Sequence, residues 1–508
     1  MRLGEIFVDT GKHYLVYGTG LMASRLASFV LIPIYTRALP VEQYGVFAIL
    51  TITLSVISTA AQLGINSAVL RSYFDYDNAK ERAPVIGTAF LLLCGSTLVF
   101  AAAMAILSNP LSRLITGSEQ FAICLWLLGA MLITDNLFNL YTSQLRADKR
   151  SFAFSVANGA KLLITCVSAI LLVAVLKRGI VGAVTANCVS SALMCLAIMP
   201  ALYKRSAFRF NSAEAKKLLA FGVPLVPMGL SAAVLASADR YFLLNMSGSI
   251  EVGKAVVGVY SLIYMYANVF RIGVVDPLFM VWLPQMLSVR HSDRANEFYS
   301  RTLSFYVLFS GFIIYCLTAA YKHVILFVSG RSYVGSTFVL WMILLSLVFI
   351  GATRLVGVGM TFARKTVYSA IFYTGAGAIN TALNFLLIPR YGMLGAAIAT
   401  VVGAAILPIC YHRAGQKFHS VDYRWSEIIR TAMIFFALST CYFALPQLGI
   451  SGIRRTAAEA SLGALYFPLA FALGILKPAE IRGVLQYVRS RGSGMAYVNE
   501  GPSEVSST

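Results

Sequence analysis

Nowhere between its apolar runs does this sequence leave a gap long enough to fold as an aqueous domain. Charge is scarce: 12% of 508 residues, against about a quarter in soluble domains, with 58% hydrophobic residues and a mean hydropathy of +0.75. Acids are scarcer still, 21 against 41 Lys and Arg. The eight cysteines include no CxxC and all fall within apolar runs, so neither a disulfide framework nor a zinc site is expected. Five histidines lie near loops without metal-ligand spacing. No Walker motif occurs, and GVGM from Gly357 is a lone GxG inside an apolar run. The sequence therefore offers no catalytic set, no metal site and no cofactor.

What it has instead is hydrophobic length. Runs of about 20 apolar residues, enough to cross a bilayer as helix, recur from Tyr14 to Leu476. Roughly fourteen pass the length and hydropathy rule, which predicts an all-α polytopic membrane protein. The first, Tyr14 to Tyr35, follows a polar N-terminus and lacks a small-residue cleavage site, so it is read as a retained span rather than a signal peptide.

The net charge of +20 is laid out as topology, not as a nucleic-acid surface. Taking loops alternately, one set carries 26 cations, among them Lys204, Arg205, Lys216, Lys217, Arg290 and Arg294. The other carries 10, including Arg37, Lys177, Arg178 and Arg390. The positive-inside rule makes the first set cytoplasmic, which places both termini inside and makes the span number even.

The pattern is also written twice. ADKRSFAFSVANGAKLLITCVSAILLVAVLKRGIVGAVTAN, from Ala147, matches ARKTVYSAIFYTGAGAINTALNFLLIPRYGMLGAAIAT, from Ala363. Each has a basic A-x-K element, a long span, a basic turn ending in Gly (Gly179, Gly392), then G-x-x-G-A (Gly182, Gly395). A span ending at Arg37 precedes YGVF, and one ending at Arg240 precedes VGVYS. The period, near 200 residues, suits duplicated transporter halves. The expected organisation is two pseudo-symmetric six-helix lobes, 1–205 and 206–415, a two-span appendage at 416–482, and a disordered cytoplasmic tail at 483–508.

Five cations sit inside or at the margin of spans: Arg25, Lys161, Arg240, Arg271 and Arg354. A charge in hydrocarbon costs at least about 2.5–3.5 kcal/mol, so such groups face a wet interior. Helical spacing aligns Asn158, Lys161 and Thr165, then Tyr260, Tyr264, Asn268 and Arg271. Thr51, Ser55, Thr59, Gln62 and Asn66 form a further stripe, as do Tyr373, Gly377, Asn380 and Asn384. Asp135 is the one acid squarely mid-span, expected to pair with a cation or to carry ion coupling. Arg240, beside Asp239 at a span end, reads as a local ion pair and interface anchor, and Arg354 lies near enough to the margin to snorkel. A cavity with this excess of cations wants an anionic substrate with a hydroxyl-rich part. Arg25, Lys161, Arg271, Arg354, Asn158 and Asn268 are its candidate lining.

SFVLIPIYTRALPVEQYGVFAILTITLSVISTAAQLGINSAVLRSYFDY resembles the opening of the O-antigen-type polysaccharide flippases, in the multidrug/oligosaccharidyl-lipid/polysaccharide exporter superfamily. FGVPLVPMGLSAAVLASADRYFLLN with VGVYSLIYMYANV is similar to the start of that family's second half, and NFLLIPRYGMLGAAIAT to its late span-turn-span signature. The resemblance covers roughly residues 10 to 415. It implies translocation of undecaprenyl-pyrophosphate-linked oligosaccharide across the bacterial inner membrane by alternating access. The implied partners are that polyprenyl-linked substrate, membrane lipid, and the polymerase and chain-length machinery of a surface polysaccharide. An ion-coupled multidrug or cation antiporter shares the fold but needs several interior acids in one lobe. A membrane-embedded glycan polymerase or ligase, an enzyme, needs a large external loop that this chain lacks.

Overall fold

The computed structural model describes residues 27–72, 76, 79–148, 150–206, 208–363 and 365–478. Among these residues there is helix and no strand. In chain order the first half includes α1 (Leu31–Ala38), α2 (Val41–Ala61), α3 (Ala79–Ile106), α4 (Ala122–Ala147), α5 (Ser151–Ala169) and α6 (Gly179–Ser206), with short helices at Ile65–Ser72 and Ser108–Thr116 between them. A short helix α7 (Ser212–Gly222) leads into α8 (Val226–Met246), α9 (Ile250–Phe270), α10 (Asp276–Ser288) and α11 (Ala295–Val328). Next come α12 (Thr337–Val356), α13 (Thr366–Tyr391) and α14 (Met393–Gln416), then α15 (Trp425–Ala444), α16 (Gly452–Ala464) and α17 (Tyr466–Ala472). Twelve helical stretches among the described residues are long and apolar enough to cross a membrane. The expected first span begins outside the described residues. The expected last span is broken, because Pro468 has no N–H to return to the carbonyl of Ala464.

Two compact units emerge. One contains Gly273–Ala319 and the described part of Ser420–Thr508; the other contains the described part of Gly20–Ile272 with Ala320–His419. In the first unit, Arg301 pairs with Glu427 at 2.5 Å, both side chains buried, and donates to the carbonyl of Ile475 at 3.0 Å. Tyr315 donates to the Glu459 carbonyl and Tyr466 to the Leu308 carbonyl, at 2.7 and 3.0 Å, tying α16 and α17 to α11. In the second unit, α2 packs on α9 and α8, α8 on α13, and α12 and α13 on α14. Helix α7 is capped by Asn211, whose Oδ1 accepts from the amides of Ala213 and Glu214. Its Leu218 enters an apolar cluster with Val85, Phe90 and Phe138 of the first half.

The duplication has a structural counterpart. A Cβ at Gly45 would collide with the carbonyl oxygen of Lys254, and one at Gly258 with that of Val41, so only glycine lets α2 and α9 cross here. A Cβ on Gly182 would lie 2.9 Å from the Leu172 carbonyl, and on Gly395 2.5 Å from that of Leu387. The turn glycines before them, Gly179 and Gly392, have φ of +58° and +53°, the region L side chains avoid. One offset, 213 residues, carries Val41 to Lys254, Gly45 to Gly258, Gly179 to Gly392 and Gly182 to Gly395. Two spans also contain π-helical segments, Ile170–Val175 and Arg271–Val275, where the register of side chains shifts.

Candidate functional site

Within the larger unit, α1, α2, α6, α8 and α9 enclose a cavity of about 320 Å³. Its wall combines aromatic faces (Tyr35, Tyr44, Phe47, Tyr264) with Thr51, Asn187, Ser261 and Asn268. Tyr44 meets Tyr333 edge-on, ring centroids 5.7 Å apart, and Tyr333 donates to the Leu39 carbonyl at 2.9 Å. Beside it, Arg37 donates to the terminal carbonyls of α11, Phe327 at 2.9 Å and Val328 at 3.2 Å. A guanidinium there satisfies two orphan acceptors and complements the helix dipole.

Arg240 is the charged group in the wall. Its Nη1 lies 2.7 Å from Asp239 and also donates to the Ala236 carbonyl, while its Cζ sits 3.5 Å from the Tyr264 ring centroid. Asp239 is 1% exposed and accepts further hydrogen bonds from Tyr260 at 2.8 Å and Tyr264 at 3.3 Å. The pair is thus an ion pair, as its sequence context implies, and a piece of the cavity wall as well. That second role depends on α8 meeting α9; the sequence signal for it was Tyr260 and Tyr264, one turn apart on α9.

The other expected site residues divide. Asn268 lines the cavity, and its amide makes no hydrogen bond to a described residue. Arg271 and Arg354 are exposed on their helices, and both charges act on the hydroxyl of Tyr373. Both cations, one directly after α9 and one on α12, thus lie within electrostatic reach of one hydroxyl on α13. Lys161 is elsewhere. Its Nζ lies 2.6 Å from Asp135 and 4.8 Å from the Phe138 ring centroid, with side chains 23% and 22% exposed. Asn158 donates to its own helix at the Phe154 carbonyl, 2.8 Å away. Of the α2 stripe, Thr51 reaches the cavity, whereas Gln62 and Ser58 bond Asn136 at 2.9 and 2.8 Å. Asn380 and Asn384 are buried against each other, 3.0 Å apart. Arg25 lies outside the described residues. No cluster of three His, Cys, Asp or Glu suited to a metal occurs among the described residues.

The sequence profile of a family described as polysaccharide biosynthesis protein matches residues 34–337, more than half of the chain. The chain belongs to that family. Its fold is shared with lipid II flippase MurJ in an inward closed conformation: TM-score 0.71, 14% identity, 90% of this chain and 98% of that one covered. It is shared too with an inward-facing multidrug resistance MATE transporter of the MOP superfamily (TM-score 0.54, 18% identity, 77% and 93% covered). The MATE transporter VcmN of Vibrio cholerae, in its bent form, superposes with a TM-score of 0.55 at 15% identity, over 82% and 99% of the two chains. No curated protein matches the chain. These neighbours are membrane transporters and flippases, and this member of the polysaccharide biosynthesis family is a multi-pass membrane protein of the same architecture.

Proposed function

We propose that the protein flips undecaprenyl-pyrophosphate-linked oligosaccharide units across the bacterial inner membrane by alternating access, for export of an O-antigen, capsule or exopolysaccharide. The observation that carries the reading is the pair Arg271 and Arg354, two exposed guanidinia on apolar helices, both within electrostatic reach of one hydroxyl. Guanidinium is the side chain best matched to phosphate oxygens, and charged groups on apolar helices mark substrate or ion paths. Arg25 and Lys161 are the further cations of this reading, with Asn158 and Asn268 as polar lining. Asp135, closed on Lys161, is the coupling candidate. Both termini and the 203–217 loop are cytoplasmic on the charge asymmetry. Polymerase and chain-length machinery consume the flipped units, and no step of catalysis belongs to this chain.

The antiporter alternative asks for interior acids open to a cation. Asp135 and Asp239 are each closed on a basic side chain, which favours the flippase. The test is Arg271→Ala in cells, measuring surface polysaccharide together with the lipid-linked intermediate. Polymer should fall and the intermediate accumulate on the cytoplasmic side at normal expression, with Lys at this position rescuing in part. Unchanged polymer with Ala at Arg25, Lys161 and Arg271 together would overturn the cationic mechanism.

A further inference from the structure

The cavity beside Tyr264 differs in chemistry from the neighbourhood of Arg271 and Arg354. Arg240, its charged wall residue, is already neutralised by Asp239 at 2.7 Å and covered on one face by the Tyr264 ring. What lines the space is aromatic surface together with two amides, Asn268 and Asn187. Asn187 uses its Nδ2, toward Tyr35 and Ala183, while the Ser261 hydroxyl is buried in the wall without a partner. Half-buried amides at the space can donate and accept without bringing charge, which suits a neutral ligand rich in hydroxyls.

We propose that this cavity is the subsite for the uncharged, pyrophosphate-proximal sugar of the lipid-linked substrate. Ring faces of Tyr35, Phe47 and Tyr264 present flat apolar surface to the C–H face of a pyranose, while the amides take its OH groups. The volume, about 320 Å³, lies at the lower end of small-molecule sites, about 300–1,000 Å³. It holds one or two sugar rings and not a whole repeat unit. Asn268 lies in the last turn of α9 and Arg271 directly follows that helix, so a sugar on Asn268 keeps its phosphate close in the chain to Arg271. The assignment rests on the flippase reading and gives the substrate a direction, sugar toward Tyr44 and carrier behind it.

The experiment measures affinities of the full-length purified protein in nanodiscs for three probes: polyprenyl pyrophosphate, the same carrier bearing one neutral hexose, and the carrier bearing a uronic acid. The wild type should prefer the hexose-bearing lipid over the bare carrier by about tenfold, which is about 1.4 kcal/mol. Asn268→Leu and Asn187→Leu should bring that ratio to near one; Asn268→Ala serves if the leucine variants fail to insert. Arg271→Ala should weaken all three probes and keep the ratio. No hexose preference in the wild type, or a ratio unchanged by the Asn268 variants, overturns the sugar subsite and leaves the flippase reading standing. Tighter binding of the uronic acid lipid overturns its neutral character. Failure of the wild type to bind any of the three overturns the flippase reading itself.

Discussion

At the scale of single residues, the interior charges are decided by their nearest neighbour. Asp239 is 1% exposed and holds Arg240, so Arg240→Met leaves an unpaired carboxylate in a nearly dry place. Breaking a buried pair from one side costs about 3–5 kcal/mol. Arg240→Met should lower the melting temperature sharply, and adding Asp239→Asn should recover part of the loss. The Lys161–Asp135 pair is partly wet, so Asp135→Asn should cost less, about 1–3 kcal/mol, read from thermal unfolding in detergent. Helical spacing puts Asn268 on one face of α9 with Tyr260 and Tyr264, and Asn268 lies in the cavity wall. Asn158 has the same spacing signal and a different outcome: its amide folds back on the Phe154 carbonyl, a local competition that spacing does not reveal. Nor does one sequence say which helices touch, and Arg240 became a wall residue only through the packing of α8 on α9.

At the scale of elements, length and hydropathy carried most of the information. The long apolar runs became helices, and the glycine turns recurred where the repeat put them. Two features had weaker signals. Pro468 announces the break between α16 and α17, but only to a reader who asks which carbonyl loses its donor. The π segment at Arg271–Val275 has no mark in the sequence at all, and helical spacing cannot be trusted past Phe270. Packing at the repeated glycines gives the direct test. Gly182→Leu and Gly395→Leu each drive a side chain into the carbonyl of a preceding helix, Leu172 or Leu387. Either change should impair export while leaving the protein in the membrane. Normal transport by both variants would mean that these contacts open without consequence. Arg37→Ala removes the cap on the end of α11. It should raise, several-fold, the rate at which an impermeant thiol reagent applied outside reaches a cysteine at Thr51, in a background without the native cysteines.

At the scale of the whole molecule, the charge asymmetry makes the most exposed prediction. Reporter fusions at Lys217 and at Thr508 should both report cytoplasm. A C-terminal fusion reporting the outside would require an odd number of spans and remove the two-span appendage from the topology. The fold class was readable because bilayer thickness fixes helix length. Two borders of the compact units, at Ile272 and Ala319, fall inside helical segments, where composition gives no boundary, whereas the one at His419 falls in a loop.

The crossing at Gly45 and Gly258 carries a consequence for symmetry. Gly45 touches the residue equivalent to Val41, and Gly258 touches Val41 itself, so the contact is its own mirror under exchange of the halves. Such self-complementary contacts are what a two-fold homodimer makes. Two copies of one half carrying this glycine would meet in the same way. Away from that crossing the halves differ in their interior charges, one carrying Asp239 with Arg240 and the other Asp135 with Lys161.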